Sequence, residues 1–399
     1  MKLTHSRPIL LLAVTLLLPV PTSDVRGAGL QPGKIAAQSQ PPIPEAIKHL
    51  GDVDYTKRTR AAASLRRRPP AEVAPALLEA LERNADGYVR FRVLVLLSAF
   101  NNPRIPDVMR GATYDPNDRL REVAYSYFEG HPDPSMLGTF LEVLDKETSE
   151  FVRPSLVRAI AALSADPRAR QAMLREVMRG QDFFRSGVIE ALGDHKAIYA
   201  VDALITIAGL EGPLQDDAAL ALGKLGDRKA LPVLAGLQRT APKDTQPAIA
   251  AAICLLGVNC EVHRGFLVRS LTFAEDTAGF QALVRSAAAA LASLATSGDR
   301  EAASALIDVG VPSQDPARAP IALASATLAV RNPALLIALL ESRADRRAAL
   351  SLVAEGFDML EEDYLEEQFF GAVRKAYWAA PEGSATRTTA QEIIGTLDF

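Results

Sequence analysis

An arginine recurs at nearly fixed intervals along this chain, each time just inside the start of an apolar helical stretch. The series is Arg60, Arg90, Arg121, Arg153 and Arg185, then Gln215, Ile249, Arg285 and Arg318, in steps of 30, 31, 32, 32, 30, 34, 36 and 33 residues. A period of this size defines a stacked repeat, in which each unit buries its apolar face only against its neighbours. A chain of 399 residues would otherwise divide into two or three domains. Hydrophobic residues make up 48% and aromatics only 6%, and much of the apolar content is Ala and Leu, which suits closely packed helices.

The clearest unit is 214–238. Leu214, Ala218, Ala221, Leu222 and Leu225 form one helical stripe, and Ala230, Val233, Leu234 and Leu237 form a second. Gly223 and Gly226 suit the end of the first helix, Asp227 can cap the second, and Pro232 sits near its start. Gly298, Asp299 and Arg300 repeat the turn, as do Gly193, Asp194 and His195. No segment carries the period-two alternation of a strand. The unit, with its ALGKLGDRKALPVL core, resembles a HEAT repeat of the short kind found in phycobilisome lyases. The resemblance spans roughly 50–345 in nine units and implies an all-α solenoid of the HEAT/armadillo type. The expected organisation is a signal peptide at 1–27, a flexible linker at 28–44, the solenoid at 45–345 and a divergent helical cap at 346–399. Such repeats serve many purposes, so the resemblance implies architecture before function.

The arginines pose a physical problem. Asp118, Glu150, Asp182 and Asp315 stand three residues before Arg121, Arg153, Arg185 and Arg318, and Asp86 stands four before Arg90. The acids suit the positive end of a helix, whereas a cation there is unfavourable. A carboxylate from its own or an adjoining unit, gripped by the planar guanidinium, is the expected compensation. Arg60, Arg90, Arg121, Arg153, Arg185, Arg285 and Arg318 are therefore read as a structural ladder. The competing reading, a stripe for phosphate or acidic peptide, would leave the cations unpaired.

The start of the chain has the features of an export signal. Lys2 and Arg7 precede the apolar run 8–20, and Val25 and Gly27 suit cleavage after Gly27, with Thr22 as the other site and an uncleaved anchor as the alternative. A periplasmic or extracellular location is expected, with no later membrane span. Net charge is −4, and residues 1–27 hold Lys2, Arg7 and Arg26 against Asp24, so the mature chain is more acidic still. That balance argues against nucleic acid as a partner. In an exported protein Cys254 and Cys260 read as a local disulfide, with two packed thiols as the alternative; His263 is near in sequence, but no fourth zinc ligand is evident.

Two regions stand out as a candidate interaction patch. One is basic, with Arg66, Arg67 and Arg68 adjacent. The other gathers Phe357, Tyr364, Phe369, Phe370, Tyr377 and Trp378 around Glu361, Glu362, Asp363, Glu366 and Glu367. Each also reads as a terminal cap, and opposite charges at the two ends permit head-to-tail association. A solenoid usually binds on a concave face, expected here on the second helix of each unit. No catalytic motif or cofactor fingerprint is present, and His49, His131, His195 and His263 are scattered. The expectation is an exported, non-catalytic scaffold for a protein or peptide partner, without cofactor or metal. The alternative is a lyase-type enzyme or accessory, which the resemblance raises and the signal opposes.

Overall fold

The computed structural model describes residues 41–275, 279–360 and 362–399. The segment read as a signal, and most of that read as a linker, lie outside the described residues. Helix α1 (Ile43–His49) starts two residues before the expected start of the solenoid. Nine helix pairs follow: α2 (Tyr55–Arg66) with α3 (Pro70–Arg83), α4 (Gly87–Ser98) with α5 (Ile105–Ala112), α6 (Asp118–Gly130) with α7 (Leu137–Leu144), α8 (Val152–Ala162) with α9 (Pro167–Val177), α10 (Asp182–Asp194) with α11 (Val201–Ala208), α12 (Gln215–Leu225) with α13 (Leu231–Thr240), α14 (Gln246–Leu255) with α15 (Cys260–Glu275), α16 (Gln281–Thr296) with α17 (Arg300–Gly310), and α18 (Arg318–Arg331) with α19 (Pro333–Glu341). The chain ends in α20 (Arg346–Leu360), α21 (Asp363–Ala379) and α22 (Ala385–Leu397). The fold is an all-α solenoid, with no strand among the described residues. No single helix among them is long and apolar enough to cross a membrane.

Short polar side chains cap several of these helices. Asp54, Asp86, Asn117, Asp166 and Asp299 each accept a hydrogen bond from a backbone N–H of the first turn. Gly226, at φ 77°, ends α12 in the left-handed conformation. Gly223, expected to do the same, instead permits a close approach, since a Cβ there would lie 2.5 Å from Ala252 Cα on α14. Gly193 similarly meets Ala221, and Gly356 would place a Cβ 2.1 Å from the Ala322 carbonyl oxygen. Successive first helices thus touch through Gly and Ala and meet far more extensively than successive second helices do. Thin packing on one side and thick on the other bends the stack towards its first helices.

The ladder side chains resolve the problem of their position. Arg90, Arg185 and Arg318 stand at the start of first helices, but each faces the C-terminal end of the preceding second helix, where unpaired carbonyls and the negative end of the dipole collect. Arg90 Nε donates to Leu81 O at 2.9 Å, Arg185 Nε to Val177 O at 2.9 Å, and Arg318 Nη1 to Gly310 O at 3.0 Å. The remaining donors take a carboxylate. Arg121 grips Glu147 with two bonds of 2.9 Å, Arg318 grips Glu355 at 2.6 and 2.8 Å, and Arg90 pairs with Asp115. Arg153 lies 3.7 Å from Glu176 and 4.1 Å from the Phe184 ring centroid. Only Arg185 uses the acid three residues before it, Asp182, at 3.0 Å. The partners are mostly loop and second-helix acids, because those lie beside the carbonyls that the guanidinium already holds.

Two positions need re-registering. Gln215 Nε2 donates to Ala208 O at 2.9 Å, so an amide replaces the guanidinium. In the next unit the equivalent residue is Gln246, donating to Ala241 O at 2.8 Å, and not Ile249, which is buried. Measured to Gln246, the step from Gln215 is 31 residues and not 34. Arg60 and Arg285 are exposed and make no ion pair among the described residues, so the ladder runs from Arg90 to Arg185 and resumes at Arg318.

Replacing Arg121 by Ala strands the carboxylate of Glu147, whose side chain is 5% exposed, and is expected to lower unfolding free energy by about 3 kcal/mol. Arg153→Ala loses a longer contact, to a carboxylate that keeps Arg175 and Arg179, and about 1 kcal/mol. Urea unfolding of the two variants checks the order; equal losses would mean that the bidentate grip contributes nothing special.

Candidate functional site

The bend brings the two ends of the stack together. Arg66 on α2 reaches Glu367 on α21 at 2.6 Å and lies 4.9 Å from the Phe370 ring centroid. Glu367 is 0% exposed. Arg92 on α4 pairs with Asp363, and Gln368 Nε2 donates to Ser98 Oγ at 2.9 Å. Arg67 takes Asp398 at 3.0 Å, and Arg68 donates to the Pro41 carbonyl. The three adjacent arginines therefore go to three different acceptors, as a helical turn requires. Tyr364 and Phe369 are buried, and Phe399 stacks on Phe370 at 4.1 Å. Trp378 alone of the aromatic candidates in the patch stays outside, 73% exposed, against Tyr377. The basic start and the acidic finish thus meet within one chain.

Closure leaves a cleft of about 1270 Å³ between the first helices α2, α4, α6, α8 and α10 on one side and α20–α22 on the other. First helices line it, not the second helices expected from sequence, because the small-residue seam puts them on the inside of the bend. They do so with residues three or four apart on one helix face: Arg58, Ala62 and Arg66 on α2, for example, and Phe183, Ser186, Gly187 and Glu190 on α10. Phe151 and Phe183 stand two residues before Arg153 and Arg185, one repeat apart, and are 81% and 68% exposed.

The walls are acidic. Glu122, Glu150, Glu190, Asp358, Glu362 and Glu366 line the cleft, and none forms an ion pair among the described residues. Among the described residues, Glu122 accepts from Ser126 at 2.9 Å and Ser155 at 3.3 Å. Burial pushes its carboxyl up to about 7, against those hydrogen bonds. Burial likewise pushes Glu366 up to about 7, helped by the neighbouring charge of Asp363. Burial raises Glu362 too, even with Arg331 and Arg158 acting against it.

A different pattern runs along the helix ends beyond the cleft. Glu129, Arg158, Asp194 and Lys224 form a chain of ion pairs across α6, α8, α10 and α12, with contacts of 2.7, 2.8 and 2.7 Å. Burial works against ionised Glu129, yet the hydrogen bond from His195 and the charge of Arg158 hold it at about 2. His195 therefore serves Glu129 at 3.3 Å and not its sequence neighbour Asp194. Cys254 and Cys260 are joined as a disulfide at the junction of α14 and α15. Arg264 Nη1 lies 3.2 Å from Cys260 Sγ and donates to Asp299 at 2.9 Å, so the acid nearest the sulfurs is already paired.

An all-helical stack that alternates inner and outer helices, clamped by periodic guanidinium contacts, defines an α-solenoid. More particularly it carries HEAT repeats: residues 43–129 match the HEAT repeats family, and residues 214–239 match the PBS lyase HEAT-like repeat. The chain is similar to the Escherichia coli protein YibA, with 20% identity over 54% of this chain and 81% of that one, at a TM-score of 0.40. It is similar to the complex of CpcE and CpcF of phycocyanin lyase from Nostoc, with 18% identity over 66% and 97% and a TM-score of 0.41. It also resembles importin beta, with 12% identity over 89% and 60% and a TM-score of 0.37. No curated protein sequence matches it.

The cleft acids were open to sequence reasoning in part. Counting from the ladder arginine, Phe151 and Phe183 fall at the same register, and Glu122 and Ser186 share another. What hid them was the assumption that second helices line the inside.

The raised carboxyls have a consequence for stability. The folded state holds protons on Glu122 and Glu366 up to about pH 7, whereas the unfolded chain releases them near the ordinary value of 4.5. Stability should therefore fall as pH rises from about 4.5 to about 7, by up to ~1.4 kcal/mol per pH unit for each carboxyl. Glu129, held low, acts in the opposite sense and only below 4.5. Urea titrations from pH 5 to 8 on Glu122→Gln/Glu366→Gln should show that decline flattened; an unchanged slope would remove the two groups from the account.

Proposed function

We propose that this protein is an exported scaffold that binds a protein or peptide partner in the cleft between its first helices and its C-terminal helices, with no chemistry of its own. The observation that carries the reading is the exposed pair Phe151 and Phe183 inside a recess, not on open surface. Apolar rings in a concavity are what a partner's side chains cover. The repeats support an extended binding surface. Unpaired carboxylates in the cleft repel phosphate, which disfavours nucleic acid. A lyase-type accessory role draws on the 214–239 match, and a chromophore that copurifies with the protein would favour it.

A photoreactive benzoylphenylalanine in place of Phe183 should give a discrete adduct with a partner in the host cell. The same group in place of Ile198, exposed on the second-helix side, should not. Adducts from Ile198 alone would move the binding site elsewhere. Export has its own test. The mature protein should begin at Ala28 or Ser23 by mass spectrometry and lie in the envelope or medium; an intact chain retained in the cytosol contradicts it.

A further inference from the structure

We propose that the cleft recognises a cationic extended segment of the partner, whose Lys or Arg heads meet Glu122, Glu190, Glu362 and Glu366 while their aliphatic stems lie on Phe151 and Phe183. This rests on the reading of the cleft as a protein-binding site and names the partner's chemistry. The first support is charge. The wall carboxylates face the cleft without an ion pair among the described residues, and two of its four arginines are already held by acids. Arg66 and Arg92 hold Glu367 and Asp363 across the closure. Arg58 donates to the carbonyls of Asp52 and Val53, both at 2.8 Å, and Arg119 lies 5.3 Å from the Phe91 ring centroid. Among the described residues, only Arg58 and Arg119 in the recess lack a carboxylate partner, against the six unpaired acids of its walls.

The second support is the placement of the rings. Exposed aromatics beside carboxylates match the amphipathic Lys and Arg side chain, which offers methylenes and a cation together. A small cation fits less well. No three of these carboxylates lie within 4.8 Å of one another among the described residues, so they do not cage a single metal ion. Glu122 on α6, Glu150 just before α8 and Glu190 on α10 stand on three successive units, whose first helices pack about 8–10 Å apart, with Glu362 and Glu366 on the other wall at α21. A polyproline-II segment advances about 9 Å in three residues and returns its side chain to the same face. Cations at every third residue would then meet successive first helices in step.

The probe is a fluorescein-labelled peptide of twelve residues, Lys at every third position among Ala and Pro, with Gln and Glu counterparts. The full chain should bind the Lys peptide and not the Glu peptide. Glu122→Gln/Glu366→Gln should weaken binding at least tenfold, and Phe151→Ala/Phe183→Ala about tenfold, with melting curves confirming that each variant is folded. Equal affinity for the Lys peptide in wild type and the Gln variant would overturn the proposal, since general surface charge would then explain binding. Spermine displacing the peptide at equal charge concentration would overturn it in favour of a small cation. If the Gln peptide binds as tightly as the Lys peptide, and the Phe variant loses both, the cleft remains a peptide site but cation recognition falls. If no peptide binds at any charge, both readings fall.

Discussion

The contact on which the stack depends is a guanidinium or amide laid across the carbonyls that end the preceding helix. A helix terminus leaves up to four acceptors without intrahelical partners and concentrates the negative end of its dipole there. In a solenoid that terminus is trapped between units, so water serves it poorly. Arg90, Arg185 and Arg318 supply the donors from the next unit, and Gln215 and Gln246 do so with an uncharged amide. The arginine has reach to spare, and that reach explains the recurring acid: with one donor on a carbonyl, the others need an anion, as Arg121 finds in Glu147. In the arginine units, two requirements, a satisfied carbonyl end and a paired cation, are met by one side chain.

Curvature follows from a second constraint, the thickness of the packing on each side of the stack. Gly193, Gly223 and Gly356 let first helices approach until backbone meets backbone. A single Cβ at Gly356 would overlap the Ala322 carbonyl at 2.1 Å. The bend that results is large enough for α21 to meet α4. From there electrostatics completes the arrangement: Glu367, buried, needs Arg66, and Arg374 lies 3.6 Å from its other oxygen. The terminal helices, which in an open stack would only cover its end, here also close a ring of contacts that defines the cleft.

Much of the fold was legible because the repeat is written in residue types that act locally. Ladder arginines, Asp caps and the Gly226 turn are sequence-near contacts, and their period alone orders the units. The site was less legible because it depends on contacts some 270 to 330 residues apart, such as Arg92 with Asp363 and Arg67 with Asp398. Opposite charge at the two ends was visible; that they meet within one chain depends on the accumulated bend. Ile249 illustrates the same gap at short range. A period counted on arginine points to it, and cannot see that Gln246 performs the function with another donor.

Closure also explains why the cleft is acidic. The cations of α2 and α4 hold α21 and α22, and the acids that remain on both walls face one another across the recess. A surface with only a structural role would leave such carboxylates in bulk water, where they ionise freely. Here burial raises Glu122 and Glu366 to about 7 and works against the folded state at neutral pH. Replacing either by an amide would relieve that opposition without touching the ladder, so the acids are not there for stability. Local rules broken to the detriment of stability, in a recess lined with exposed rings, agree with the partner surface proposed for it. The seam of glycines makes the bend, the bend makes the recess, and the charges engaged in holding it shut set what the recess can attract.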